Sequence, residues 1–324
     1  MILNHTFFYH PPTFEDNEEV ITEFQNKGIS MQKIQNSLGR SRRYLISDSV
    51  KENTLTMAIN AAREVLENSK ITISEIDMIV FVSATPEYNM PTNAIKIHEA
   101  LGAKTETLCY DMNANCIGGF VVIDQVSKYL NGSPFAKKAL VICTEKFSDK
   151  SGKENPIITF CFSDSALALI LEKDDSTSGL IDVMYHTDSS FTDTIVFPPK
   201  GHSCRTVEEE MFWDSNFDGS GSVNFALNTI DTFLNRNKLK VEDIDLFLFS
   251  QLSIKNINTI VNHYNLPEEK APFYGREYAY TGSSSPLMAF DQYKKNVRQL
   301  EKGENILLWT LGAGYQAGLM LWKY

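Results

Sequence analysis

Two stretches of this chain, 168 residues apart, repeat each other in register. Lys70-Ile71-Thr72-Ile73-Ser74-Glu75-Ile76-Asp77 matches Lys238-Leu239-Lys240-Val241-Glu242-Asp243-Ile244-Asp245. Each follows a helical pattern. In 53–68 the apolar positions Leu55, Ala58, Ile59, Ala62, Val65 and Leu66 recur at helix spacing, and 225–234 behaves likewise. Each stretch runs into an unbroken apolar segment, Met78-Ile79-Val80-Phe81-Val82 and Leu246-Phe247-Leu248-Phe249. Such runs suit strands buried on both faces, as in parallel sheets. Further on, Asp291-Gln292 echoes Asp124-Gln125, and 306–309 echoes 139–144. A repeat of about half the chain predicts duplicated α/β units packed together, here 1–172 and 173–324.

The remaining elements fill in around that frame. Residues 1–46 read as a strand, helices around 18–25 and 30–37, and a basic turn. Residues 83–92, with Pro86 and Pro91, form a loop before a helix at 93–101. Strands are expected at 139–144, 162–171 and 179–185, while 187–220 is polar, loop-rich and unassigned.

The chemistry concentrates at Asp111-Met112-Asn113-Ala114-Asn115-Cys116-Ile117-Gly118-Gly119-Phe120. An extended lead-in ends in a cysteine, small residues follow, and a helix is expected over 120–130. A lone cysteine is more often a small core residue. At a strand-to-helix turn it lies at the positive end of the helix dipole, which predicts a thiol more acidic than usual. The repeat sets Cys116 opposite Ser283 or Ser284, so only one of the two equivalent turns carries a thiol.

A net charge of −11 and the lack of a basic run argue against nucleic acid as a partner. The Arg40, Arg42, Arg43 cluster is the one patch suited to an acidic carrier, and could equally be a solvated turn. Five cysteines without a CxxC pair suggest reduced thiols in a cytoplasmic protein. No apolar run has membrane-spanning length, and no leader pattern opens the chain. The six histidines show no H-x-x-x-H pair. His202 and Cys204, two apart in a polar loop, are a weak metal signal, so no metal is expected.

This arrangement resembles the thiolase fold, and in detail the beta-ketoacyl-acyl carrier protein synthase III family. The resemblance covers nearly the whole chain. It is carried by Leu38-Gly39-Arg40-Ser41-Arg42-Arg43, by Ile76-Asp77-Met78-Ile79 with Ala84-Thr85-Pro86 and Met90-Pro91, and by the Cys116 stretch. Phe162-Ser163-Asp164-Ser165-Ala166 and Leu311-Gly312-Ala313-Gly314-Tyr315 complete it. It implies two duplicated βαβ-type halves in a layered α-β-α-β-α sandwich. It further implies acyl transfer to Cys116 from acyl-CoA or acyl carrier protein, with no permanently bound cofactor. The amides of Cys116 and Ala313 would form an oxyanion hole, and Arg40, Arg42 and Lys255 would grip the donor's phosphates. The Met90-Pro91 loop would reach a neighbouring subunit in a dimer.

Three departures stand out. Where the family has a histidine opening His-Gln-Ala-Asn, this chain has Ser250-Gln251-Leu252-Ser253. Where it has the asparagine of Gly-Asn-Thr-Ser, this chain has Ala279-Tyr280-Thr281-Gly282. The arginine before the family's early Thr-Gly falls near Ser37. Ser250 and Tyr280 can donate hydrogen bonds, but neither is a base near neutral pH as histidine is. The expectation is therefore an acyltransferase or atypical ketosynthase of specialised fatty-acid or polyketide-type metabolism. The alternative is a non-catalytic or half-active subunit paired with an intact relative. A weaker third reading is thioester hydrolysis.

Overall fold

The computed structural model describes all 324 residues except 50, 151–154, 175–177, 205–209 and 215–219. Its first sheet has five strands in the order Ile2–Tyr9, Ser165–Glu172, Lys138–Glu145, Met78–Val82 and Leu108–Met112. Its second has four, in the order Gly179–Thr187, Gln316–Lys323, Asn305–Gly312 and Leu246–Phe249. The two orders correspond strand for strand, except that among the described residues Leu108–Met112 has no counterpart in the second sheet. Met78–Val82 is parallel to both its neighbours, and Leu246–Phe249 is parallel to Asn305–Gly312.

The unbroken apolar run at 78–82 is explained by its two faces. Met78, Val80 and Val82 face a central layer containing the helices Gly118–Gly132 and Ser285–Asn296. Ile79 and Phe81 face an outer layer built on Thr54–Ser69 and Asn93–Leu101. On the second sheet Leu246 and Leu248 face the central helices, while Phe247 and Phe249 pack beneath Ser220–Arg236 and Ile254–Tyr264. Side chains alternate across a strand, so a strand between two apolar layers must be apolar throughout. The result is the expected α-β-α-β-α layering.

The repeat is exact enough to reach single hydrogen bonds. Lys70 and Lys238 both take left-handed backbone at φ 58 and 60 as the outer helices end. Asp77 accepts from the Lys137 and Lys138 amides, and Asp245 from the Asn305 amide. On the central helices, Asp124–Lys128 and Asp291–Lys295 form matching ion pairs at 2.7 and 2.8 Å.

Some boundaries differ from the sequence expectation. The cysteine helix begins at Gly118, because the 3-10 turn Asn115–Ile117 runs straight into it. The strand expected over 162–171 begins at Ser165. Phe162 instead makes an isolated bridge with Tyr280 from the other half.

Candidate active site

Cys116 occupies the middle of the turn Asn115–Ile117. The preceding Asn115 has φ 51, a conformation asparagine tolerates better than most residues, and its amide bonds Asn113 Oδ1 at 2.9 Å. Facing this turn is its counterpart in the second half, Gly282–Ser284, which also leads into a central helix. The matching central residue is Ser283. The two turns approach so closely that a Cβ on Gly119 would lie 2.3 Å from the Ser283 carbonyl oxygen.

The thiol lines a cavity that is continuous with solvent. The turn Gly312–Ala313–Gly314 forms one wall, with Asn113 and Asn115 beside it. Phe147 and Phe162, with ring centres 4.3 Å apart, form another together with Leu252. The roof comes from the segment the sequence left unassigned. Ile195–Val196 pairs with Phe212–Trp213, and Thr194, Ile195, Phe197, Met211 and Trp213 cover the chamber. Among the described residues of this roof, the one hydroxyl, on Thr194, donates to the Phe191 carbonyl at 2.7 Å.

The surroundings of the thiol overturn the expected acidity. Burial pushes the Cys116 thiol up to about 12, and the nearby Glu145 carboxylate pushes the same way. The Tyr280 hydroxyl and the Ala313 amide, both beside the sulfur, pull it down by less. A helix N-terminus helps an exposed thiolate, but Cys116 is only partly exposed, and the apolar walls around it outweigh that help.

Tyr280 and Ala313 therefore line the chamber beside the sulfur. Ser250 lies behind Tyr280, with its hydroxyl buried and outside good hydrogen-bond geometry to any described residue. It is near enough to the phenol to favour that group's ionisation, although burial holds Tyr280 well above the usual tyrosine range. Ala279, just before Tyr280, sits at φ 53, ψ −154, a region otherwise confined to glycine.

Beneath the Cys116 turn lies a residue not singled out from the sequence, Glu145. It is fully buried at the end of Lys138–Glu145. Ser283 Oγ donates to it at 2.7 Å, Thr85 Oγ1 at 3.0 Å, the Ala84 amide at 3.0 Å and Ser83 Oγ at 3.4 Å. Burial raises its carboxyl to about 7, and these donors limit the rise. A strand ending in Thr-Glu carries no sign that the glutamate turns inward, so only the fold reveals it.

The residues expected to grip phosphate are placed differently. Arg40 is buried, and its guanidinium donates to the carbonyls of Gly275 at 3.2 Å, Gln251 at 3.4 Å and Leu252 at 2.6 Å. It holds the halves together and is not available to a ligand phosphate. Arg42 stacks on Phe14 and pairs with Asp16 and Glu277, both at 3.3 Å, which already neutralise it. Lys255 alone is exposed, three residues beyond the chamber-lining Leu252. His263 is exposed on an outer helix. His202 is also exposed, and lines a cleft that shares Ala84, Thr85, Asn113 and Phe197 with the chamber. No histidine of the described residues lines the chamber itself.

Comparison with known proteins agrees with this architecture. Residues 110–189 match the family model for 3-oxoacyl-[acyl-carrier-protein] synthase III, and residues 234–324 match the model of its C-terminal part. Together they span more than half of the chain. A beta-ketoacyl-[acyl-carrier-protein] synthase III of Clostridium perfringens is 28% identical over 322 residues, covering 97% of this chain and 96% of the relative. One from Rickettsia prowazekii is 28% identical, covering 96% and 95%. Among solved structures, the 3-oxoacyl-[acyl-carrier-protein] synthase III of Aquifex aeolicus superposes with a TM-score of 0.84 at 22% identity, over 99% of both chains. The priming beta-ketosynthase of the R1128 polyketide pathway gives 0.83 at 20% identity, over 99% of this chain and 95% of the other.

Proposed function

Because the chain belongs to the 3-oxoacyl-[acyl-carrier-protein] synthase III family of the thiolase fold, we propose that it is an acyltransferase whose Cys116 takes an acyl group from acyl-CoA or acyl carrier protein. The observation that carries this reading is that Cys116, Tyr280 and Ala313 line one largely apolar chamber, with the phenol and the Ala313 amide beside the sulfur. Such donors suit a nucleophile and a developing oxyanion. The sulfur attacks the thioester carbonyl, the C–S bond to the donor breaks, and the acyl group remains on Cys116. Lys255, at the exposed edge near Leu252, is the remaining candidate for a contact with the donor's phosphates.

The second half-reaction differs from that of a condensing enzyme. Decarboxylation of an extender needs donors that stabilise an enolate, and the chamber holds the Tyr280 phenol, with Ser250 behind it, and no histidine among the described residues. Losing one such donor costs roughly 10²–10³ in rate. The acceptor in this reading arrives already nucleophilic, which favours a specialised pathway over housekeeping fatty-acid initiation. Incubation with a panel of acyl-CoA and acyl carrier protein thioesters should add the acyl mass to the intact protein, and Cys116→Ala should abolish the addition. An unmodified wild-type protein across the panel rejects the reading.

Surroundings that work against the Cys116 thiolate favour a second reading, a subunit that completes a heterodimer with an intact relative. Co-purification with a second thiolase-fold chain supports it, and turnover by the chain alone removes it.

A further inference from the structure

Glu145 is a carboxylate without a cation. Among the described residues it takes part in no ion pair, and the neighbouring Lys146 turns away to Asp149 at 2.5 Å and Ser49 at 2.8 Å. Every group on its two oxygens is a neutral donor. Ser83, the Ala84 amide and Thr85 come from one loop of the first half, and Ser283 comes from the second. A shell made only of donors is built for a negative charge, because a neutral amide would leave a donor facing a donor. Keeping an unpaired carboxylate fully buried is costly, so packing alone does not account for it.

Its surroundings supply a use. The ionisable groups facing it are Cys116, across the paired turns, and Cys143 on its own strand, both of which its charge makes harder to ionise. The loop 83–85 and the Gly282–Ser284 turn bring only hydroxyls and amides. Cys116 and Glu145 therefore repel as two anions and accommodate one charge between them. Thr85 joins them: it lines the chamber into which the thiol opens, and its hydroxyl donates to Glu145 Oε2 at 3.0 Å. We propose that Glu145 is the proton partner of Cys116, holding the thiol proton while the sulfur attacks and returning it to the departing thiol. The exchange balances. Thr85 hands its proton to the carboxylate and takes the one leaving sulfur. The thiolate forms the new C–S bond as the donor's C–S bond breaks, and the neutral carboxyl gives the proton back along the same path. Glu145 acts through Thr85 and touches no substrate, so it is a positioning residue.

The inference rests on the acyl-transfer reading, but its test needs no acyl donor. Labelling of Cys116 by iodoacetamide is followed by intact mass between pH 5 and 9. Sharing one proton predicts a wild-type rate that rises through about 7, where the carboxyl ionises, and then levels. Glu145→Gln should remove the inflection and slow labelling at pH 7.5 at least tenfold. Thr85→Val should keep the inflection and lower the plateau. If Glu145→Gln keeps the inflection, or labels faster than wild type, the carboxylate merely repels the thiolate and the proposal fails. If Glu145→Gln does not fold, Thr85→Val decides, and a plateau equal to wild type overturns the idea. An intact inflection with no acyl mass shift defeats acyl transfer while leaving the proton partnership standing.

Discussion

Ala279 shows how one residue sets the site. At φ 53, ψ −154 it holds a backbone shape that is easy for glycine and costs an alanine about 1–3 kcal/mol. That shape delivers the next residue, Tyr280, to the Cys116 sulfur. In the proposed acyl transfer the phenol would donate to the forming thiolate, and hydrogen bonds to charged groups contribute about 1.5–3 kcal/mol. Tyr280→Phe should therefore slow acylation of Cys116 by about 10- to 100-fold, measured by timed intact-mass labelling, while the melting temperature moves little. The sequence names Tyr280 as a candidate through its position in a familiar motif. That its hydroxyl reaches the sulfur depends on a dihedral angle of its neighbour, which no motif encodes. Arg40 shows the reverse case. In a basic cluster it looks like a phosphate ligand, yet its guanidinium is turned inward onto three carbonyls.

At the scale of elements, the site depends on two short turns meeting tip to tip. Asn115–Ile117 and Gly282–Ser284 each feed a central helix, and the contact tolerates no side chain at Gly119. The obstructing atom is a backbone oxygen, which cannot rotate away. Gly119→Ala should destabilise the fold by about 2–3 kcal/mol as an overpacked core site, seen as a lower denaturation midpoint. It should also displace Cys116 from Tyr280, so that residual folded protein labels slowly. The pairing of the two turns follows from the repeat, and its partner in the second half, Ser283, is one of the two candidates that the register allows. The roof of the chamber is different. Segment 187–220 looks polar and formless in sequence, yet Ile195, Phe197, Met211 and Trp213 converge over the thiol. Their spacing follows neither a helical nor a strand period, because two short strands bring them together from separate stretches.

Across the whole molecule, the two halves are alike except at one edge. Leu108–Met112 closes the first sheet with a single neighbour, and the second sheet lacks its counterpart. An unpaired edge strand is a template for another strand. Leu108 on that edge is exposed, and Met90 in the preceding loop is 88% exposed. A dimer through this edge is expected, and sedimentation at micromolar concentration should show twice the chain mass. Leu108→Lys together with Met90→Lys should shift the protein to monomer without altering its helical circular dichroism. A wild-type monomer would rule the dimer out. No helix among the described residues is long and apolar enough to cross a membrane.

The duplicated architecture, the layering and the turn that carries Cys116 are all written in local order. Periodicity, an in-register repeat and a cysteine between a strand and a helix are properties of neighbouring residues, and local sequence preserves them. The protonation of that cysteine is not local. It depends on how much water the roof excludes, on a carboxylate folded inward from a strand end, and on a phenol brought in from 164 positions away in the chain. Desolvation and charge act through space, so the same dipole argument that predicts an acidic thiol fails once distant groups close over it.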